Sequence, residues 1–176
     1  MIETARLILC PVKLEHAERI QVLINDKEIA SNTRTIPYPY PEGAAEEWVR
    51  LQQANWSQGK AYVFSILLKS DPQFVGAIGL EVHEADENAE LGYWLGRPYW
   101  NQGFCTEAAG PVVEYGFAQV GLHRIFAHHL TRNPASGRVL EKIGMKREGC
   151  LRGHVRKWGV FEDIEIYGQL ASDRPD

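Results

Sequence analysis

The chain is sparing with the residues that build covalently stapled or metal-held folds. Among 176 residues there are three cysteines and two methionines. Cys10, Cys105 and Cys150 are odd in number and show no CxxC spacing, which disfavours a disulfide framework and a zinc site alike. Neither HExxH nor a similar ligand pattern occurs, and His128 and His129, being adjacent, would point to opposite faces of any strand. No metal is expected. No apolar stretch reaches the roughly 18 residues that a membrane-spanning helix needs. The opening Met1-Ile2-Glu3-Thr4 has neither the charged nor the long apolar region of a signal peptide, so a reducing cytoplasm is the expected location. An excess of one charge is missing as well: 19 Lys and Arg stand against 23 Asp and Glu, a net charge of -4. Such a balance argues against a partner held by bulk electrostatics, whether nucleic acid or an anionic membrane. Internal repeats, low-complexity tracts, the GK[ST] triplet of a Walker loop and the GxGxxG dinucleotide fingerprint are all absent.

What is present is the composition of an ordinary globular domain, 44% hydrophobic and 24% charged. A chain this long hides roughly 70% of its unfolded surface on folding without staples, so residues 1–176 are read as one domain. Strand alternation covers Arg6 to Val12, and helical spacing follows over Leu14 to Asn25. Three prolines in Pro37-Tyr38-Pro39-Tyr40-Pro41 impose a shaped loop, and a second helix runs from about Glu42 to Ala54. β-rich runs fill Tyr62–Leu68, Phe74–Val82 and Glu90–Leu95. A third helix from Thr106 carries Ala109, Val112, Val113, Phe117 and Val120 on its apolar side, with a kink expected at Pro111. After a strand at Ile125–Leu130, Asn133-Pro134 reads as a helix cap and first helical residue, with Gly144 as the left-handed stop. Lys146–Lys157 and Val160–Leu170, joined at Trp158-Gly159, close the chain as two long strands. The expected fold is α/β (α+β), a single mixed, mostly antiparallel sheet of about seven strands flanked by four helices. Open edges on such a sheet leave room for a homodimer.

The chemistry concentrates where the strand Glu90–Leu95 gives way to the third helix. Unpaired N–H groups at a helix start, preceded by a compact glycine-containing loop, form a nest for phosphate oxygens. A lone glycine before a helix is more often a tight connection, so this spacing alone leaves both readings open. The surrounding strings are more specific. Gly92-Tyr93-Trp94, Pro98-Tyr99-Trp100, Gln102-Gly103 and Thr106-Glu107-Ala108 follow one another here. A second string runs from Asn133-Pro134-Ala135-Ser136 through Leu140-Glu141-Lys142-Ile143-Gly144-Met145 to Glu148-Gly149. With Arg6-Leu7-Ile8-Leu9, the proline loop and the Gly159, Asp163, Tyr167 ending, these resemble the GNAT superfamily of acyl-CoA-dependent N-acetyltransferases. The resemblance is closest to its RimJ/RimL-type branch and covers nearly the whole chain in the expected order.

The resemblance implies the GNAT acyl-CoA N-acyltransferase fold, acetyl-CoA as co-substrate and direct transfer to a primary amine. Asn101, Gln102, Gly103, Phe104, Cys105 and Thr106 would form the loop that holds the coenzyme pyrophosphate. Trp94, Leu95 and Gly96 would end a strand that splays from Ile125–Leu130 to admit pantetheine, with an N–H near Leu95 polarising the thioester carbonyl. Asn133 and Ser136 would meet the pantetheine and its sulfur end. Three positions depart from the usual pattern, the mildest being Asn101, a residue tolerant of unusual backbone angles where a small one is usual. Cys105 stands where a small residue is common, and is expected to be either an inert substitute or an unusually acidic thiol. Leu140 lies seven residues after the cap, where many members carry a tyrosine acid, so the candidate acid becomes Ser136.

The acceptor must attack as a neutral amine, and Glu90 is the first candidate base with Glu81 second. Tyr38 and Tyr40 are candidate acceptor-wall residues. At pH 7 an α-amine is roughly 15% neutral against about 0.04% for lysine, a difference of roughly 3.5 kcal/mol. That favours the amino terminus of a protein or peptide, and RimJ/RimL-like proteins act on ribosomal-protein amino termini. Antibiotics, amino acids and polyamines are the alternative acceptors. A non-catalytic acyl-CoA-binding module and a cysteine nucleophile at Cys105 are the competing readings from other classes.

Overall fold

The computed structural model describes residues 1–174. Strands β1 (Ile2–Glu3), β2 (Leu7–Pro11), β3 (Ala61–Leu68) and β4 (Phe74–His83) make one half of a single sheet. The other half is β5 (Asn88–Leu95), β6 (Arg124–Leu130), β7 (Lys146–Lys157) and β8 (Val160–Leu170). Their spatial order is β1-β2-β3-β4-β5-β6-β8-β7, and every neighbouring pair is antiparallel except β5 with β6. The helices are α1 (Ala17–Ile24), α2 (Lys27–Asn32), α3 (Ala44–Ser57), α4 (Phe104–Tyr115) and α5 (Pro134–Lys142).

Among the described residues there is thus one strand and one helix more than hydrophobic period predicts. β1 has two residues, too few to show alternation. α2 has six, too few for a 3.6-residue period, and it starts because the Asp26 carboxylate accepts the Glu28 N–H at 2.8 Å. The first helix is also shorter than its apolar spacing suggests, because Leu14–His16 forms a 3₁₀ turn before α1. α4 starts two residues before Thr106 and passes Pro111 unbroken. Burial of Ala108, Val112 and Val113 holds that turn although Pro111 donates no hydrogen bond. The departure from α geometry comes later, in the π-turn Gly116–Val120.

Each sheet face has its own core. On one, α4 and α5 cover Leu9, Ile78, Leu80, Leu91 and Ile125. On the other, Ile20 and Leu23 of α1, Ile29 of α2 and Val49 of α3 close over Ala77 and Trp94. Each fully buried Leu or Ile stabilises the fold by about 1.5–3 kcal/mol, so both layers hold the sheet firmly. Within this well-anchored sheet, β5 and β6 pair only at Asn88 with Arg124, Ala89 with Ile125 and Glu90 with Phe126. Beyond Glu90 the two strands part, and each continues to its own end unpaired with the other.

Candidate active site

Ladder parity shows what lines the gap. The Gly96 N–H donates to the Val75 carbonyl at 2.9 Å, so the alternate residues Trp94, Gly92 and Glu90 also turn their main chain toward β4. Leu91, Tyr93 and Leu95 therefore turn theirs into the opening. On the facing strand the Thr131 N–H donates to Asp163 at 3.1 Å, which directs Ala127 and His129 to β8 and leaves His128 and Leu130 facing the gap. Two strand edges with unpaired amide groups form a slot for an extended, amide-bearing chain. The Leu95 carbonyl is already occupied by the Trp100 indole N–H at 2.8 Å, while the Leu95 N–H points into the slot.

The slot leads to the start of α4. Asn101 at φ 60 and Gly103 at φ 80 both adopt the left-handed conformation that concentrates N–H groups on one side of a loop. No side chain caps α4. The N–H groups of Gly103, Phe104, Cys105 and Thr106 precede the first intrahelical bond, which Glu107 makes to the Gly103 carbonyl at 3.0 Å. The positive end of the helix dipole lies at the same place. Arg6, which sequence reasoning did not select, braces this loop from β2's approach. Its guanidinium donates to the Gln102 carbonyl at 3.0 Å and to Glu107 at 2.6 Å, and lies 4.5 Å from the Phe104 ring centroid. Burial alone would raise the Glu107 carboxyl, but Thr4, the Arg6 N–H and the Arg6 guanidinium outweigh it and hold it below the ordinary range. The charge of an acidic side chain in the first turn is thereby offset by Arg6.

Where the slot meets α5, Tyr93 and Ser136 come together, with their hydroxyl oxygens 2.8 Å apart. Burial drives the Tyr93 phenol well above its ordinary value, against the Ser136 hydrogen bond. Asn133 is the N-cap residue of α5, as expected, but its side chain makes no capping bond and lines the cavity instead. Burial also pushes the Cys105 thiol up to about 12. That direction is opposite to the acidic-thiol expectation and favours the inert substitute.

Through the sheet, on the α1–α3 side, lies a second set of groups. Glu90 follows Trp94 in parity and so faces this side, as does His128, whose Nδ1 stands 3.2 Å from Glu90 Oε1. Arg34 approaches the other Glu90 oxygen at 4.0 Å. Desolvation lowers the His128 pKa below its ordinary 6.5; Glu90 opposes this, and Arg34, His154 and His129 reinforce it. Glu81 is the direct cross-strand partner of Glu90 on β4. Tyr40 lines the cavity, with its phenol raised by burial, and the proline loop is pinned there by Lys157 Nζ donating to the Ile36 carbonyl at 3.1 Å. One continuous cavity of about 1400 Å³ takes in both sides.

Not every selected residue reaches this cavity. Tyr38 is 44% exposed and is not among the lining residues. Gly96 commits its N–H to Val75 and packs against Leu23, where an added Cβ would come within 2.9 Å. Gln102 lies outside the lining, with its side-chain amide donating to the Pro98 carbonyl at 2.9 Å. Trp94 lines it with a largely buried ring packed 5.7 Å from Phe74, its main chain committed to β4. Asn101, Gly103, Phe104, Cys105, Thr106, Leu95, Glu81, Glu90, Asn133 and Ser136 all line it. No group of three or more metal-ligating side chains occurs among the described residues.

The family model of the Acetyltransferase (GNAT) domain matches residues 6–146. YoaA of Bacillus subtilis (strain 168), an uncharacterized N-acetyltransferase, is 31% identical over 170 residues, spanning 95% of this chain and 94% of its own. The ribosomal-protein-serine acetyltransferase of Escherichia coli (strain K12) is 25% identical over 117 residues, 65% of each chain. Among solved structures, spermidine N-acetyltransferase from Vibrio cholerae in complex with CoA and spermine superposes with a TM-score of 0.81 at 22% identity, covering 94% of this chain and 96% of that one.

Proposed function

Because the chain belongs to the GNAT acetyltransferase family, we propose that it transfers the acetyl group of acetyl-CoA directly to a primary amine, in the RimJ/RimL manner the α-amine of a protein or peptide. The observation that carries this reading is the parting of β5 and β6 in line with the uncapped start of α4. The N–H groups from Gly103 to Thr106 would receive the coenzyme diphosphate. Pantetheine would lie in the slot as an extra strand, and the Leu95 N–H would polarise the thioester carbonyl. Such a donor is worth about 2.7–4 kcal/mol of barrier in comparable oxyanion sites.

The amine arrives from the α1–α3 side, past Tyr40 and Glu81. Its nitrogen lone pair attacks the carbonyl carbon, a proton leaves the nitrogen, and the tetrahedral intermediate collapses with cleavage of the C–S bond. Ser136, held by Tyr93, gives a proton to the departing thiolate and is reprotonated by the proton released from the nitrogen. An α-amine suits this site because its deprotonation costs about 3.5 kcal/mol less than that of lysine at pH 7. All three cysteines are free thiols, which suits a reducing cytoplasm. Polyamine acceptors form the second reading, favoured by the two carboxylates Glu81 and Glu90 placed directly opposite each other.

A thiol-release assay with acetyl-CoA tests the proposal across ribosomal-protein amino-terminal peptides, spermidine, aminoglycosides and free amino acids. The highest kcat/KM is expected on peptide α-amines. Faster turnover of spermidine would overturn the acceptor assignment, and coenzyme binding without thiol release on any amine would overturn the enzyme.

A further inference from the structure

Glu90 is the acceptor-side carboxylate that sequence reasoning favours as base, yet the imidazole of His128, on the strand across the gap, stands 3.2 Å from it. We infer that His128 takes the proton from the incoming amine and that Glu90 orients its ring, so that β5 and β6 together supply a carboxylate–imidazole pair. This rests on the N-acetyltransferase reading and assigns that site's proton acceptor.

Three observations carry it. First, His128 Nδ1 lies 3.2 Å from Glu90 Oε1, while both side chains line the cavity. A proton kept on Nδ1 toward the carboxylate leaves Nε2 with its lone pair, the arrangement that a histidine base needs. Second, both side chains are shielded yet reachable, with 13% of His128 and 23% of Glu90 exposed. Third, every charged neighbour is accounted for. Glu90 faces the ring from β5, Arg34 from the proline-loop side, His154 from β7 and His129 from the adjacent position on β6. Arg34 stands 4.0 Å from the second Glu90 oxygen. Burial of the ring favours its neutral form, the form that accepts a proton.

Imidazoles as a class hold a proton more tightly than carboxylates, with reference values near 6.5 against about 4.3, so an ammonium proton passes more readily to an imidazole. In the reaction the ammonium proton passes to His128 Nε2, the freed nitrogen forms the C–N bond, and the C–S bond breaks. The imidazolium then loses its proton to water. Atoms balance as ammonium plus thioester giving amide, thiol and one proton.

The test combines two readouts on the full chain. Nitrogen NMR of the histidines reports tautomer and titration without turnover: His128 is expected as the Nδ1–H tautomer, titrating below about 6.5. Replacing Glu90→Gln should move that titration lower still, and Glu90→Asp should restore it in part. In thiol-release kinetics on a turned-over peptide, His128→Ala should lower kcat/KM about 100-fold or more. The same variant should move the acid limb of the pH profile up toward the amine's own ionisation near 7.8 and leave the Kd for acetyl-CoA within twofold. An Nε2–H tautomer, or a His128→Ala variant with an unchanged acid limb, overturns the pair while leaving the acetyltransferase reading standing. Absence of turnover by the unaltered protein on every amine is the separate failure of that reading, and the tautomer still decides the geometry.

Discussion

Gly103→Ala separates what the loop before α4 does for stability from what it does for the coenzyme. Alanine at φ 80 incurs the left-handed penalty of about 1–2 kcal/mol. Sterics add little, because the new Cβ would meet only Arg6 Nη2, at an ordinary 3.5 Å. For a chain of this size each kcal/mol lowers Tm by about 2–4 °C, so a fall of about 2–8 °C is expected. Gly43 provides a matched control. It also precedes a helix, stands at φ 76, and an added Cβ there would meet nothing within 4 Å. Gly43→Ala should therefore cost the same stability. The two variants should differ in coenzyme binding. As the strained alanine at 103 relaxes toward negative φ, the Phe104 and Cys105 N–H groups swing out of line. Loss of one charge-assisted hydrogen bond is worth about 1.5–3 kcal/mol, a rise in Kd of about ten- to 150-fold. Calorimetric titration with acetyl-CoA measures it. Equal Kd values for Gly103→Ala, Gly43→Ala and the unaltered protein would refute the reasoning, since the loop would then hold no diphosphate.

Tyr93→Phe removes the hydroxyl that stands 2.8 Å from Ser136 Oγ. It should cost about 1 kcal/mol or less in stability but lower kcat more than it changes KM for acetyl-CoA, as steady-state kinetics would show. Ser136→Ala should lower kcat further, and unchanged turnover there would remove Ser136 from the acid role. Glu107 has a carboxyl pKa depressed by Thr4 and Arg6 against the opposing effect of burial. A depressed carboxylate stabilises the fold fully above its unfolded value, and that contribution disappears as pH falls through the lower folded value. Tm should therefore drop below about pH 4.3, and the drop should be shallower in Glu107→Gln.

Much of this arrangement is legible in the order of residues alone. Period and turn chemistry locate seven of the strands, and the hairpin at Trp158-Gly159 does turn with both residues at positive φ. Asn101 is readable as a residue tolerant of such angles, and the loop into α4 lies where the Gln102-Gly103 string puts it. What escapes is set by distant pairing. Arg6 is 101 positions from the Glu107 it neutralises, and only the closeness of β2's start to α4 joins them. His128 is visible as one of two adjacent histidines on opposite strand faces. Its partnership with Glu90 needs the β5–β6 register, which alternation within one strand cannot supply. The fate of Cys105 likewise depends on burial, which a helix-start position does not reveal. Short elements such as α2 escape because a capping aspartate, not an apolar stripe, defines them.

The coenzyme diphosphate would rest on four main-chain donors, and amide NMR observes them one by one. Titration with acetyl-CoA should move the Gly103, Phe104, Cys105 and Thr106 amide protons downfield together, saturating at the calorimetric Kd, and excess inorganic pyrophosphate should compete for the same shifts. Saturable acetyl-CoA binding that leaves these four amides unmoved would contradict the account.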